Sequence, residues 1–199
     1  MKKVLLLHGW KNNRPEGHWL RHNATDLRSR GQQVWYPQFP DPDEPKAQAW
    51  QELLLAEEAM MNETQGSEKI AIAHSLGCIN WLVAARTMAF QSPFDRVLFV
   101  APPDPQLLQA STPEAGATNL YDEDVIPAIK RYAKDFQILS SDQDRWLPRG
   151  IEETYEKPLG LKAHIFTGGQ HFSLEDGFGA WRGIADWVMS ANPADLMQR

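Results

Sequence analysis

Short apolar runs separated by longer amphipathic stretches set the rhythm of this chain. Lys3 to Leu7, Gln33 to Tyr36, Ile70 to Ala73, Arg96 to Val100, Phe136 to Leu139 and Leu161 to Phe166 are of strand length and mostly apolar, as strands covered on both faces are. Between them, apolar residues recur three or four apart. Trp19, Leu20 and Leu27 predict a helix over 17–30 that stops at Gly31, and Trp50, Leu53, Leu54 and Met61 predict another over 47–62. Further helices are predicted from Cys78 to about Phe90, over 125–134, over 150–156 and over 181–189. Strands alternating with helices predict an α/β three-layer sandwich, a mostly parallel sheet of about six strands with helices on both faces, in one domain over 1–199. The segment 102–123 holds four prolines and no clear period, and is expected to be a long surface loop or a small mobile lid. The tail from Asn192 is expected to be loose.

In open sheets of this kind, sites form at the C-terminal strand ends. The polar groups of this chain gather there. The third strand runs through Ala73-His74-Ser75-Leu76-Gly77 into an apolar helix. Strand, sharp turn with a central Ser, then helix is the context of a nucleophile elbow. Ala73 stands where a Gly is usual, a small departure, since the position needs a small residue for close strand–helix approach. Such a string also arises by chance, so partners must decide its meaning.

The first strand ends in His8-Gly9-Trp10. The N–H of Gly9 or Trp10, together with that of Leu76, would form an oxyanion hole. His8 is expected to order this loop instead of acting as a base. The fifth strand ends in a turn with two acids, Asp142 and Asp144, either of which could orient a base or simply fold the turn. The sixth is followed by Gly168-Gly169-Gln170-His171, which offers His171 as general base. His74, Trp146 and Pro102 are the expected pocket residues, and Trp10, Trp146 and Trp181 the tryptophans expected to border it. His18 and His22 lie four apart without a third ligand and are expected at the surface or rim. Asp122-Glu123-Asp124 reads as a helix N-terminal charge cluster.

The V-L-L-L-H-G-W opening, Gly17-His18-Trp19, A-H-S-L-G, A-P-P-D, D-R-W-L-P and the late H-F-S…D-G-F-G-A-W together resemble the small serine hydrolases of the retinoblastoma-binding-protein-nine and YdeN type, a compact branch of the α/β-hydrolases. The resemblance runs from Met1 to about Trp187. It implies a catalytic triad of Ser75, an Asp and His171, no metal or cofactor, and no large cap domain. In that family the acid commonly stands four residues before a Pro, which selects Asp144 ahead of Pro148. The base is commonly preceded by Gly, where this chain has Gln170.

Composition narrows the function classes. The 199 residues carry a formal net charge of −6, which argues against nucleic acid or an anionic membrane surface as partner. The single Cys78 excludes an internal disulfide framework and fits a reducing compartment. The N-terminal apolar run is too short for a signal peptide, and no run approaches spanning length, so a cytoplasmic protein is expected. Lys11, Arg145 and Arg149 near strand ends are read as solvated surface in preference to an anion site. The resulting reading is a hydrolase that cleaves a carboxylic ester or related acyl compound, with a small-molecule acyl substrate as its partner; a protein partner has no support in the sequence. The rivals are a binding protein on a hydrolase scaffold, and an amidase or peptidase using the same triad.

Overall fold

The computed structural model describes residues 1–116 and 118–199. Its strands are β1 (Lys2–Leu7), β2 (Gln33–Trp35), β3 (Glu68–His74), β4 (Phe94–Val100), β5 (Ala133–Ser141) and β6 (His164–Phe166). They form one sheet in the order β2-β1-β3-β4-β5-β6, and every neighbouring pair is parallel. Side chains alternate across a strand, and here both alternating sets are apolar. Val4, Leu6, Ile70, Ile72, Leu98, Val100 and Leu139 enter one core. Leu5, Leu7, Ala71, Ala73, Val97, Phe99 and Ile138 enter the other. Such strands can only be stable between two layers of helices.

Those layers are present. Helices α1 (Trp19–Ser29) and α7 (Arg182–Ser190) cover the first face through Trp19, Leu20, Leu27, Ile184, Trp187 and Val188. Helices α2 (Ala47–Glu63), α3 (Leu76–Arg86) and α5 (Val125–Tyr132) cover the second, with Trp50, Leu54, Trp81, Leu82, Val125 and Ile129. Every residue of α3 but Val83 and Arg86 is buried, as its apolar sequence requires. The expected three-layer α/β architecture without a large cap is therefore present among the described residues, none of whose helices is long and apolar enough to cross a membrane.

The segment 102–123 departs from expectation. Asp104 caps a short helix α4 (Pro105–Ser111) by accepting the N–H of Gln106, with Pro105 at its first position, and a 3₁₀ turn (Pro113–Ala115) follows. The start of α4 is tied down: Asp104 N–H donates to Trp146 O at 2.8 Å, the Arg149 guanidinium pairs with the Asp104 carboxylate, and the Tyr155 hydroxyl donates to Pro103 O at 2.7 Å. The tail is ordered too. A 3₁₀ turn (Pro193–Met197) buries Leu196 completely, and a Cβ on Gly183 would lie 2.1 Å from Asp195 O, so tail and α7 touch backbone to backbone. Other differences are of length: β5 starts at Ala133 and shortens the preceding helix, β6 is only His164–Phe166, and a π turn over Glu152–Glu156 continues into α6 (Lys157–Leu159).

Candidate active site

The ends of β1, β3, β5 and β6 deliver the chemistry. Ser75, between β3 and α3, has φ 54° and ψ −125°, a conformation disfavoured for a residue with a Cβ. Its N–H donates to Val100 O at 3.0 Å, which holds the turn against the end of β4. Close approach explains the flanking small residues. A Cβ on Gly77 would lie 2.7 Å from Leu7 O and 2.8 Å from His8 O, so α3 can begin over the end of β1 only with glycine there. Ala73 is fully buried, and its methyl group fits that core.

Because Ser75 holds this φ against its Cβ, glycine there should relieve strain of about 1 kcal/mol or more. Ser75→Gly is expected to raise the calorimetric unfolding midpoint by a few degrees, and Ser75→Ala, which keeps a Cβ, is not. Equal midpoints for the two variants would show that the turn stores no such strain.

Ser75 Oγ lies 2.8 Å from His171 Nε2, and His171 Nδ1 lies 2.9 Å from both oxygens of Asp144. Asp144 Oδ1 also accepts the N–H of Trp146 at 2.8 Å, which fixes the carboxylate within its own turn. All three residues are buried. Asp142 is not brought to His171: it is exposed and accepts the N–H of Gly168 at 2.7 Å. Gln170, where the family that the sequence resembles commonly has Gly, takes φ 50°, the left-handed conformation that glycine favours.

The loop that carries His171 is held by His74, which the sequence placed in the pocket, and by Trp19 and Asp176, to which it gave no site role. His74 Nε2–H donates to His171 O at 2.9 Å, and Trp19 Nε1–H donates to Phe172 O at 2.9 Å. Asp176 accepts from His171 N–H and Ser173 N–H, each at 3.1 Å, and from the Ser173 hydroxyl and Arg145. Burial opposes the charge on Asp176, but these donors hold its carboxyl below the usual range. Arg145 is thereby neutralised at the cavity wall, while Arg149 is committed to Asp104. The sequence signal for Asp176 was present as Ser173-x-x-Asp176-Gly177, a turn pattern.

Ser75 and His171 open into a cavity of about 540 Å³. Trp10, Pro103, Leu108, Trp146 and Leu174 supply apolar wall, and Lys11, Asn12, His18, His74 and Glu175 supply polar wall. The Trp10 and Trp146 rings meet edge to face at 5.7 Å. Two expectations are corrected. Pro102 is buried and its neighbour Pro103 takes the wall position. Trp181 is buried and stacks on Phe172 at 5.1 Å, supporting the base loop from behind instead of bordering the site. Of the two histidines expected at the surface or rim, His18 lines the cavity, is 3% exposed and caps α1, whereas His22 is exposed.

His8 orders its loop as expected. Its Nε2 accepts the N–H of Phe39 at 2.9 Å, leaving the ring proton on Nδ1 beside Gly9 O. Gly9 passes so near the elbow that a Cβ there would lie 3.2 Å from Ser75 Oγ. Leu76 begins α3, so its N–H has no acceptor within the helix. Among the described residues, no group of three His, Cys, Asp or Glu is arranged to hold a metal ion.

Burial is the main cause that lowers the pKa of His8 and of His18 to about 4, and it drives His74 well below the ordinary value. The unfolded chain protonates these rings near 6.5 and the folded chain does not. Their contribution to stability is thus complete above pH 6.5 and is lost as pH falls toward 4. Urea titrations across that window should show the unfolding free energy declining with each step down in pH; a flat profile there would contradict the burial of these rings.

A family model described as serine hydrolase matches residues 4–190 of the sequence. The chain belongs to the serine hydrolase family. No curated protein matches it. Among solved structures this serine hydrolase is similar to the YdeN gene product of B. subtilis, with a TM-score of 0.75 at 19% identity, covering 96% of this chain and 98% of that one. A YdeN-like protein from Pectobacterium atrosepticum gives 0.66 at 15% identity, covering 94% and 89%. The esterase domain of a Rhodothermus marinus protein gives 0.62 at 14% identity, covering 94% and 85%. At these identities the likeness is one of fold, and the fold is that of the α/β-hydrolases.

Proposed function

We propose that this serine hydrolase cleaves a carboxylic ester or related acyl compound through a Ser75–His171–Asp144 triad and an acyl-enzyme. The observation that carries the reading is the unbroken chain of hydrogen bonds from Ser75 Oγ through His171 to Asp144, all at 2.8–2.9 Å. In this reading His171 Nε2 takes the Ser75 proton as Oγ attacks the carbonyl carbon. Asp144 holds the tautomer with the proton on Nδ1 and stabilises the imidazolium that forms. The N–H of Leu76 and that of Gly9 or Trp10 receive the tetrahedral oxyanion. His171 returns the proton to the leaving alcohol, then activates the water that releases the acid. Cys78 is no rival nucleophile, because it is fully buried and burial pushes its thiol pKa up.

A fluorophosphonate probe tests this directly, since it reacts with a serine only when a base activates it. Labelling of the wild type, absent in Ser75→Ala and strongly reduced in His171→Ala, is the expected result. Unlabelled but folded wild type would contradict the proposal. Turnover of short p-nitrophenyl esters compared with the matching anilides then separates esterase from amidase.

A further inference from the structure

His18 Nδ1 accepts the backbone N–H of Leu20 at 3.1 Å, capping α1. A backbone N–H can only donate, so the proton of the neutral ring must sit on Nε2. The cap therefore fixes the tautomer as well as the ring's orientation. Stacking on Trp19 at 5.6 Å and a neighbouring His74 ring at 5.6 Å hold the plane. The residue is 3% exposed and lines the same cavity as Ser75 and His171. Its Nε2 has no acceptor among the described residues, yet it is not sealed from solvent as His74 Nδ1 is. Burial keeps the ring uncharged near neutral pH.

A neutral N–H with one direction, on a residue that lines this cavity beside Trp10, Pro103, Trp146 and Leu174, needs an acceptor. Water can fill that role in the open cavity, but a substrate that displaces the water must supply an acceptor or forfeit a hydrogen bond. The other polar groups behind the site face inward to hold the base loop, as His74 and Trp19 do. We infer that His18 Nε2–H is a specificity donor that selects substrates carrying an ether, keto or hydroxyl oxygen beyond the scissile ester group. This rests on the hydrolase reading above.

The test uses pairs that exchange one CH₂ for oxygen: p-nitrophenyl methoxyacetate against butyrate, p-nitrophenyl 3-methoxypropanoate against pentanoate, and 2-methoxyethyl against butyl acetate. In at least one pair the wild type should favour the oxygen-bearing ester by roughly tenfold in kcat/KM beyond the ratio of the alkaline hydrolysis rates. His18→Asn should remove that preference, chiefly through KM. Asn caps helices well, so its unfolding midpoint should stay near the wild type's, whereas His18→Leu loses both cap and donor. A preference retained by His18→Asn, or absent from all three pairs in labelled, active wild type, overturns this inference alone. So does an Nδ1–H tautomer or a charged ring for His18 in ¹⁵N-histidine spectra at pH 7. Wild type whose Ser75 takes no fluorophosphonate overturns the hydrolase reading and this one with it.

Discussion

Ser75→Ala is expected to lower kcat on a p-nitrophenyl ester by about 10⁴-fold or more, with the fold intact. The alanine keeps the Cβ and the backbone of the turn, so the only loss is the oxygen that lies 2.8 Å from His171 Nε2. Asp144→Asn should fall by a similar factor for a different reason. His171 Nδ1 sits 2.9 Å from both carboxylate oxygens, and an amide there no longer stabilises the imidazolium and can enforce the wrong tautomer. Asp142→Asn is the control. Its carboxylate accepts from Gly168 N–H and not from the base, so kcat should change only a few-fold. Steady-state kinetics on the three purified variants decide the matter. Near-wild-type turnover in Ser75→Ala, or equal losses at Asp142 and Asp144, would contradict the assignment.

Gly9→Ala should reduce kcat by about 10²–10³-fold, although it leaves every proposed triad residue in the sequence. The added Cβ would lie 2.7 Å from Ser75 Cβ, 3.1 Å from His74 O and 3.2 Å from Ser75 Oγ. The first two belong to or are fixed on the elbow backbone, and the third is held by its bond to His171. The elbow backbone is pinned by Ser75 N–H to Val100 O and by His74 to His171 O. Relief must come from moving the β1 loop, which carries the proposed Gly9 or Trp10 oxyanion donor, or from moving Ser75 off its bond to His171. Overpacking of this kind also destabilises by about 1–3 kcal/mol. Turnover and the rate of fluorophosphonate labelling should fall together while the circular dichroism spectrum stays native. Wild-type rates in this variant would mean that the loop yields without disturbing the site.

The layered sheet was legible because its strands advertise it. Val4-Leu5-Leu6-Leu7 and Ile70-Ala71-Ile72-Ala73 are apolar at consecutive positions, and only burial on both faces accounts for that. Ser75 and His171 were legible because each follows a strand in the order the chemistry needs. Asp142 and Asp144 could not be separated by residue type, since both occupy one turn; the family's spacing pointed to Asp144, and the turn geometry brings its carboxylate to His171. The α4 helix was missed although Asp104-Pro105 carries a capping signal, because four prolines masked it. The ordered tail could not be seen from a single buried leucine, whose partners are distant in sequence. For His18 the rim alternative fits and the exposed one does not: it lines the cavity because it stands one residue before α1 and its ring turns back to cap it, where helical spacing suggested an outward ring.

The strand order β2-β1-β3-β4-β5-β6 has a bearing on how the protein is made. β1 and β2 can pair first; β3 then joins the free edge of β1, and β4, β5 and β6 each join the strand completed just before. No strand must ever wedge between two that are already paired. A chain leaving the ribosome at about 5–20 residues per second can thus extend its sheet along one growing margin. Until β4 arrives that margin is β3, a run of apolar residues with unpaired backbone groups, the sort of edge that invites association with other chains. Ser75 emerges well before His171, so under the proposed triad a nascent chain would carry an inert serine. In the proposed reading, hydrolytic competence would come only once β6 and the loop that carries His171 have closed onto the sheet.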